Sequence, residues 1–190
     1  MMKQTLGMAV VAIGLMISTT ACEKKNDATP APTVTTDSAT LTVSADAANG
    51  SYTYFNLRTK ATVTSAQQQS TDWDFGMLFT NLVANATPNG PGTGGVQVVD
   101  GTLAGITAAP ETGYVATITD YTQWANYNST TRTFSPRPGR IIVFRTADNK
   151  YVKLEMLAAD YGPLAGTPPR PTTIIYRFRY TIQTNGTRNF

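Results

Sequence analysis

A single cysteine, Cys22, is the residue whose place in the sequence points most directly to a chemistry. The sequence ahead of Cys22 begins with a short N-terminal region that carries one basic residue, Lys3. An apolar run over residues 6–17 follows, and then small residues that end at Ala21. This order is typical of a secretory signal peptide, and the run is shorter than the roughly 20 apolar residues that span a bilayer. A small residue followed by cysteine predicts that the thiol takes a diacylglycerol and becomes the mature N-terminus. Thr19 stands where such signals usually carry an aliphatic residue, so ordinary cleavage that leaves a free thiol is the alternative.

The composition and the motifs exclude most other kinds of catalytic or metal-binding site. The chain contains no histidine, so it cannot build a Ser-His-Asp or Cys-His triad, and zinc sites lose their commonest ligand. The glycine-rich stretch 89–95 lacks the lysine and the following helix of a phosphate-binding loop, and we interpret it as a flexible loop. Carboxylates such as Asp74 and Glu111 show no spacing that would pair them across a cleft. We therefore predict neither an enzyme nor a metal site.

The charge balance argues against a nucleic-acid partner. The 15 basic and 12 acidic residues give a net charge of +3, and removal of residues 1–21 takes away Lys3 alone and leaves +2. Nucleic-acid-binding domains carry a much stronger basic surface. Only 14% of the residues are charged, below the usual quarter, which is common in secreted β-proteins.

Alternating apolar and polar residues predict the elements that must position any site. Such alternation runs through the segments 73–79, 140–146, 150–157 and 174–182, with a turn at 147–149. This period of two indicates half-buried antiparallel strands, and no convincing helical period appears. We predict an all-β, antiparallel, sandwich-like domain over residues 39–190. It would follow a signal peptide over 1–21 and a segment over 22–38 that consists of the lipidated cysteine and a flexible tether.

Several of these segments carry motifs of a known family. They are Tyr-Thr-Tyr-Phe-Asn-Leu at 52–57, Asp-Trp-Asp-Phe-Gly-Met at 72–77, Gly-Gly-Val at 94–96, Pro-Glu-Thr-Gly-Tyr at 110–114, the hairpin at 140–154 and Ile-Tyr-Arg-Phe-Arg-Tyr at 175–180. In this order, over residues 38–184, the chain resembles the HmuY-like haem-binding lipoproteins of Gram-negative bacteria. The resemblance implies an HmuY-type β domain, an outer-membrane lipid anchor on the periplasmic or cell-surface face, and haem binding for iron acquisition.

The same resemblance implies two axial haem ligands, His or Met, on two segments ahead of the hairpin. One segment follows a Gly-Tyr motif, matched here by Gly113-Tyr114, and the other follows a Trp motif, matched by Trp124. The chain departs from the pattern at both places. The second ligand position falls near Ser129, and the first segment is largely missing because only residues 115–123 lie between the two motifs.

Four residues remain as candidates to contact haem iron or the porphyrin. Met77 and Met156 each alternate with apolar residues on a predicted strand, so we assign both to the core. Tyr121 and Tyr127 flank the Trp motif and could ligate ferric iron or stack on the ring, since haem iron accepts tyrosine oxygen. A surface aromatic cluster or a small core is the alternative for these two tyrosines.

Two arginines follow that region and are candidates to hold acidic groups. Arg132 and Arg137 could pair with propionate carboxylates, or they could simply belong to a solvated loop.

Two functions therefore remain possible for this chain. One is a haemophore-type module that passes haem to an outer-membrane transporter, and the other is an anchored β-domain that has lost haem ligation and serves as an interaction or accessory protein.

Overall fold

The computed structural model describes residues 34–190. The predicted signal peptide, Cys22 and the tether up to residue 33 lie outside the described residues. None of the helices in residues 34–190 is long and apolar enough to cross a membrane.

The described part of the chain is built from strands, which confirms the predicted all-β class. Fourteen strands follow one another between residues 34 and 183. They are β1 Val34–Ser44, β2 Thr53–Asn56, β3 Ala61–Val63, β4 Phe75–Leu78, β5 Asn81–Ala84, β6 Gly95–Asp100, β7 Thr117–Ile118, β8 Ala125–Asn128, β9 Thr133–Pro136, β10 Arg140–Arg145, β11 Tyr151–Tyr161, β12 Leu164–Ala165, β13 Arg170–Pro171 and β14 Thr173–Gln183.

Two five-stranded antiparallel sheets form the sandwich. The main sheet has the order β1-β14-β11-β10-β6, and the second sheet has the order β3-β2-β4-β5-β7. Two further pairs, β8–β9 and β12–β13, form two-stranded sheets of their own. These two hairpins are the parts of the fold that shape the candidate site.

The apolar stripe of β14 explains why this strand lies inside the main sheet. Its inward residues, Ile174, Tyr176, Phe178, Tyr180 and Ile182, are at most 4% exposed. The arginines between them point to the opposite, solvent-facing side of the sheet, as the alternation predicts.

Aromatic rings join the two sheets across the core. Phe178 of the main sheet lies with its ring centroid 5.7 Å from Phe55 and 5.8 Å from Phe75, both of the second sheet. Phe75 also stacks on Phe144 of β10 at 5.0 Å. Burial of such rings stabilises the sandwich by about 25 cal/mol per Å² of apolar surface.

The structure corrects the predicted start of the domain. Residues 34–38, assigned to the flexible tether, form the first half of β1 and pair with β14, from Val34 opposite Gln183 to Ser38 opposite Arg179. Their polar composition hid this role, because the pairing satisfies backbone groups and needs no apolar side chains.

The segment 73–79 also differs from the half-buried strand that its alternation predicts, with Trp73, Phe75, Met77 and Phe79 on one face. Trp73 packs instead with Tyr54 and Val83 in a separate cluster, and Phe79 lies in the β4–β5 turn with φ of +53°. The residues that alternate with these four, Asp74 and Leu78 among them, are buried as well. The reason is that β4 is a central strand whose two faces are both covered.

Candidate functional site

A groove opens at the end of the sandwich where the two small hairpins meet. It has a volume of about 640 Å³ and lies between the tip of the β8–β9 hairpin and the segment that joins β11 to β14. Its lining includes Phe79, Tyr127, Arg132, Tyr161, Leu164 and Arg170. Pockets of this size that combine apolar walls with a few convergent polar groups are the usual form of small-molecule sites.

The aromatic wall of the groove is supported by Phe134 of β9. The Phe134 ring is buried, with the Tyr127 centroid at 4.8 Å, the Tyr121 centroid at 4.8 Å and the Phe79 centroid at 5.2 Å. Tyr127 remains 46% exposed, so one side of its ring is available to a ligand. Alternation within β8 and β9 explains this arrangement, because Tyr127 and Phe134 face each other across the hairpin.

Tyr161 fastens the hairpin to the main sheet. Its hydroxyl accepts a hydrogen bond from the Phe134 N–H and donates to the Phe134 carbonyl at 3.3 Å. Burial raises the pKa of Tyr161 above its ordinary value. The Tyr161 hydroxyl is therefore neutral and already engaged, whereas Tyr127 makes no hydrogen bond through its hydroxyl among the described residues.

Two cations border the groove without a counter-charge. Arg132 and Arg170 are exposed, and neither forms an ion pair with a carboxylate of residues 34–190. Arg132 stands in the hairpin turn with φ of +57°, and Asn128 shapes this turn by accepting from the N–H groups of Thr130 and Thr131. Free guanidinium groups are suited to carboxylate or phosphate ligands.

The structure brings together some of the predicted site residues and separates others. Tyr127 and Arg132 both line the groove. Tyr121 lies behind the wall against Phe134, and Arg137 points elsewhere, with its Nη1 donating to the Thr122 carbonyl at 3.0 Å. Ser129, the position matched to the family's second ligand, lies in the turn at the hairpin tip.

The methionines occupy the interior. Met77 is 0% exposed and Met156 is 7% exposed, and both belong to the main core cluster. Neither lines the groove. Within residues 34–190 there is also no group of three or more His, Cys, Asp or Glu side chains that could hold a metal ion.

Sequence reasoning missed Tyr161, Leu164 and Arg170. A signal was present, because residues 162–172 form a Gly- and Pro-rich break between two long strand patterns. Such a break predicts a loop, but it does not tell which other loop it will meet. The groove thus combines the exposed aromatic ring of Tyr127 with two guanidinium groups, those of Arg132 and Arg170.

Comparison with known proteins gives a likeness in structure and none in sequence. No protein-family model matches the chain, and no curated protein sequence matches it. Among solved structures, the chain is similar to an apo HmuY analogue of Tannerella forsythia, at 12% identity and a TM-score of 0.49, over 77% of this chain and 96% of that one. It is also similar to apo PinO of Porphyromonas gingivitis, at 12% identity and a TM-score of 0.48, over 80% of this chain and 98% of that one. Both are likenesses in structure alone, at 12% sequence identity.

Proposed function

We propose that this protein is a membrane-anchored binding module of the haemophore type, which takes haem or a similar flat, acidic aromatic ligand into the groove. The observation that carries the proposal is the meeting of the exposed Tyr127 ring with Arg132 and Arg170 in one groove. Aromatic faces stack on flat ligands, and guanidinium groups pair with propionate-type carboxylates. The family motifs in the sequence support the same ligand class.

The proposed role is haem and iron acquisition at the outer membrane. Lipidated Cys22 would hold the domain at the membrane, and the bound ligand would pass to an outer-membrane transporter. Because the groove lies at the end of the sandwich, at the C-terminal end of β1, the ligand could be handed over without unfolding the core.

Haemin titration tests the groove directly. We expect a weak Soret shift without the low-spin bis-His spectrum, because the chain has no histidine. Arg132→Gln combined with Arg170→Gln should weaken binding at least about tenfold, since each hydrogen bond to a charged group is worth about 1.5–3 kcal/mol when formed. Tyr127→Phe keeps the ring and removes the oxygen, so it should change the ferric spectrum and leave most of the affinity.

Two matched controls test whether the ligand binds in the groove itself. Arg137→Gln removes an arginine at the foot of the same hairpin but outside the groove, and it should leave the affinity unchanged. The double variant Met77→Leu, Met156→Leu conserves core volume and should also leave haem binding unchanged. Loss of a well-defined Soret shift in the methionine variant would instead assign ligation to the thioethers and contradict the groove.

A second candidate is an anchored interaction or accessory domain without haem. The observation that favours it is the absence of both family ligand positions, with Ser129 at the hairpin tip. No Soret shift at haemin concentrations well above those of the protein would select this candidate.

Replacing the predicted anchor tests localisation. We expect Cys22→Ser to move the protein from the membrane fraction to the soluble fraction, because no other lipid acceptor thiol exists in the chain. A single acyl chain binds membranes only marginally, whereas the diacylglycerol carries two chains and should hold the protein stably at the membrane. If the unaltered protein already enters the aqueous phase of a detergent extraction, the anchor assignment is wrong.

A further inference from the structure

Lys153 of β11 is a buried cation that the proposed function does not use. It is only 6% exposed, and its Nζ donates to the Ile106 carbonyl at 2.8 Å. The Phe190 ring lies over the ammonium, with its centroid 4.8 Å from Nζ. Among the described residues Lys153 forms no ion pair. Burial without a carboxylate is costly for an ammonium, and it lowers the pKa of Lys153.

Lys153 also lines a second cavity, which lies away from the groove. This cavity has a volume of about 320 Å³ and lies on the outer side of the main sheet, beside Val34, Thr36 and Leu103. The groove borders Ala45, so the two sites lie at opposite ends of β1. At about 3.4 Å per strand residue, this places them roughly 35 Å apart.

Further donors line the same cavity. The hydroxyls of Thr36 and Thr181 lie 3.0 Å apart across the β1–β14 pair. Arg179 also lines the cavity, and its Nε is held by Glu155 at 2.6 Å. This ion pair fixes the guanidinium plane and leaves its terminal amino groups as the donors that can face a ligand.

We propose that this cavity binds a phosphate-type oxyanion, with Lys153 as its central cation. Three strands supply the donors: the ammonium comes from β11, a guanidinium and a hydroxyl come from β14, and a second hydroxyl comes from β1. Donors spread over several strands suit a tetrahedral oxyanion, whereas a planar carboxylate is best matched by one arginine fork. The bound oxyanion would supply the counter-charge that Lys153 lacks.

A phosphate group could reach the cavity from two sources. It could be free phosphate, or it could be the headgroup of a phospholipid. Both use the same chemistry at Lys153, so the first experiment establishes the oxyanion and the second identifies its source. Neither depends on haem binding, and the proposal stands or fails separately from the groove.

Titration of the isotope-labelled protein with inorganic phosphate tests the site by NMR. We expect saturable shifts of the amides of Thr36, Leu103 and Thr181. Lys153→Met keeps most of the unbranched side chain and removes the charge, so it should weaken binding at least about tenfold. Lys150→Met, on the same hairpin but outside the cavity, is the matched control and should leave binding within about twofold.

A second variant keeps the test valid if Lys153→Met does not fold. Thr36→Val removes one hydroxyl from an edge strand and preserves the β-branched shape, and it should weaken phosphate binding about threefold to tenfold. The proposal is overturned if phosphate causes no saturable shifts at these amides. It is equally overturned if Lys153→Met and Lys150→Met bind phosphate alike.

Vesicle sedimentation then separates the two sources. The Cys22→Ser variant is used so that no lipid anchor contributes. Phosphatidylcholine vesicles that contain phosphatidic acid should bring this variant into the pellet, and inorganic phosphate should release it, if the headgroup is the ligand. If it stays in the supernatant while phosphate still shifts the amides, free phosphate is the ligand.

Discussion

Phe178→Ala is expected to lower the free energy of unfolding by about 4 kcal/mol. The ring is 0% exposed and contacts the rings of Phe55 and Phe75, so its removal opens a cavity between the two sheets. Lost aromatic pairing adds to the lost burial. A domain of this kind is stable by only about 5–15 kcal/mol, so the change is a large fraction of the total.

Urea unfolding followed by tryptophan fluorescence measures this effect. Trp73 and Trp124 are both buried, so their emission reports on loss of the core. Phe178→Leu is the matched control, because it keeps an apolar side chain of nearly the same volume and should cost about 1.5 kcal/mol. Equal losses for the two variants would show that Phe178 does not bridge the sheets.

Asp74→Ala is the second large change, with an expected loss of about 3–5 kcal/mol. Asp74 is 1% exposed, accepts from the Leu57 N–H at 2.8 Å and pairs with Arg58 Nη1 at 3.3 Å. Without the carboxylate, the buried Leu57 N–H loses its acceptor and Arg58 Nη1 loses its partner, while Arg58 Nη2 keeps Asp148. The same urea measurement gives the change in unfolding free energy.

Asp148→Ala is the control, because it also removes a carboxylate that pairs with Arg58, but an exposed one. Its carboxylate accepts from Arg58 Nη2 at 2.6 Å, but the side chain is 53% exposed. Exposed ion pairs contribute about 0–1 kcal/mol, so the loss should be about 1 kcal/mol or less. If removal of Asp148 costs as much as removal of Asp74, burial is not what makes Asp74 important.

The pH dependence of stability gives Asp74 a distinct signature. Burial raises the pKa of Asp74 above its ordinary value of 3.8, against the opposing effects of Arg58 and the Leu57 N–H. Between 3.8 and the raised value the folded protein holds a proton that the unfolded chain has released, so this group makes stability fall as pH rises. Asp74→Asn keeps an acceptor for the Leu57 N–H and should remove that fall, whereas Asp148, whose pKa is lowered, acts in the opposite direction.

Part of the fold could be read from local patterns. The stripe of β14 and the β10–β11 hairpin were predictable because each depends on neighbours in sequence: alternation places Phe178 inside, and Ala-Asp-Asn at 147–149 allows the turn. The first half of β1 was not predictable, because its order comes from pairing with β14, more than 130 residues away.

The candidate site shows the same division. Tyr127 and Arg132 were identifiable because they follow the Trp motif on one short hairpin. Tyr161 and Arg170 were not, because they reach the groove only after β11 and β14 pair and bring their connecting segment to the hairpin tip.

The sequence by itself determined the strand class and the exclusion of histidine chemistry, since these follow from residue types and local periodicity. The membrane anchor at Cys22 stays a prediction of the sequence. Only the tertiary structure decided which polar groups are buried and what they meet. The Asp74–Arg58–Asp148 chain joins residues 16 and 90 positions apart, and Lys153 reaches a carbonyl 47 residues away. Such contacts depend on how strands pair and sheets stack, and no local pattern records the low-dielectric surroundings that give a buried charge its cost.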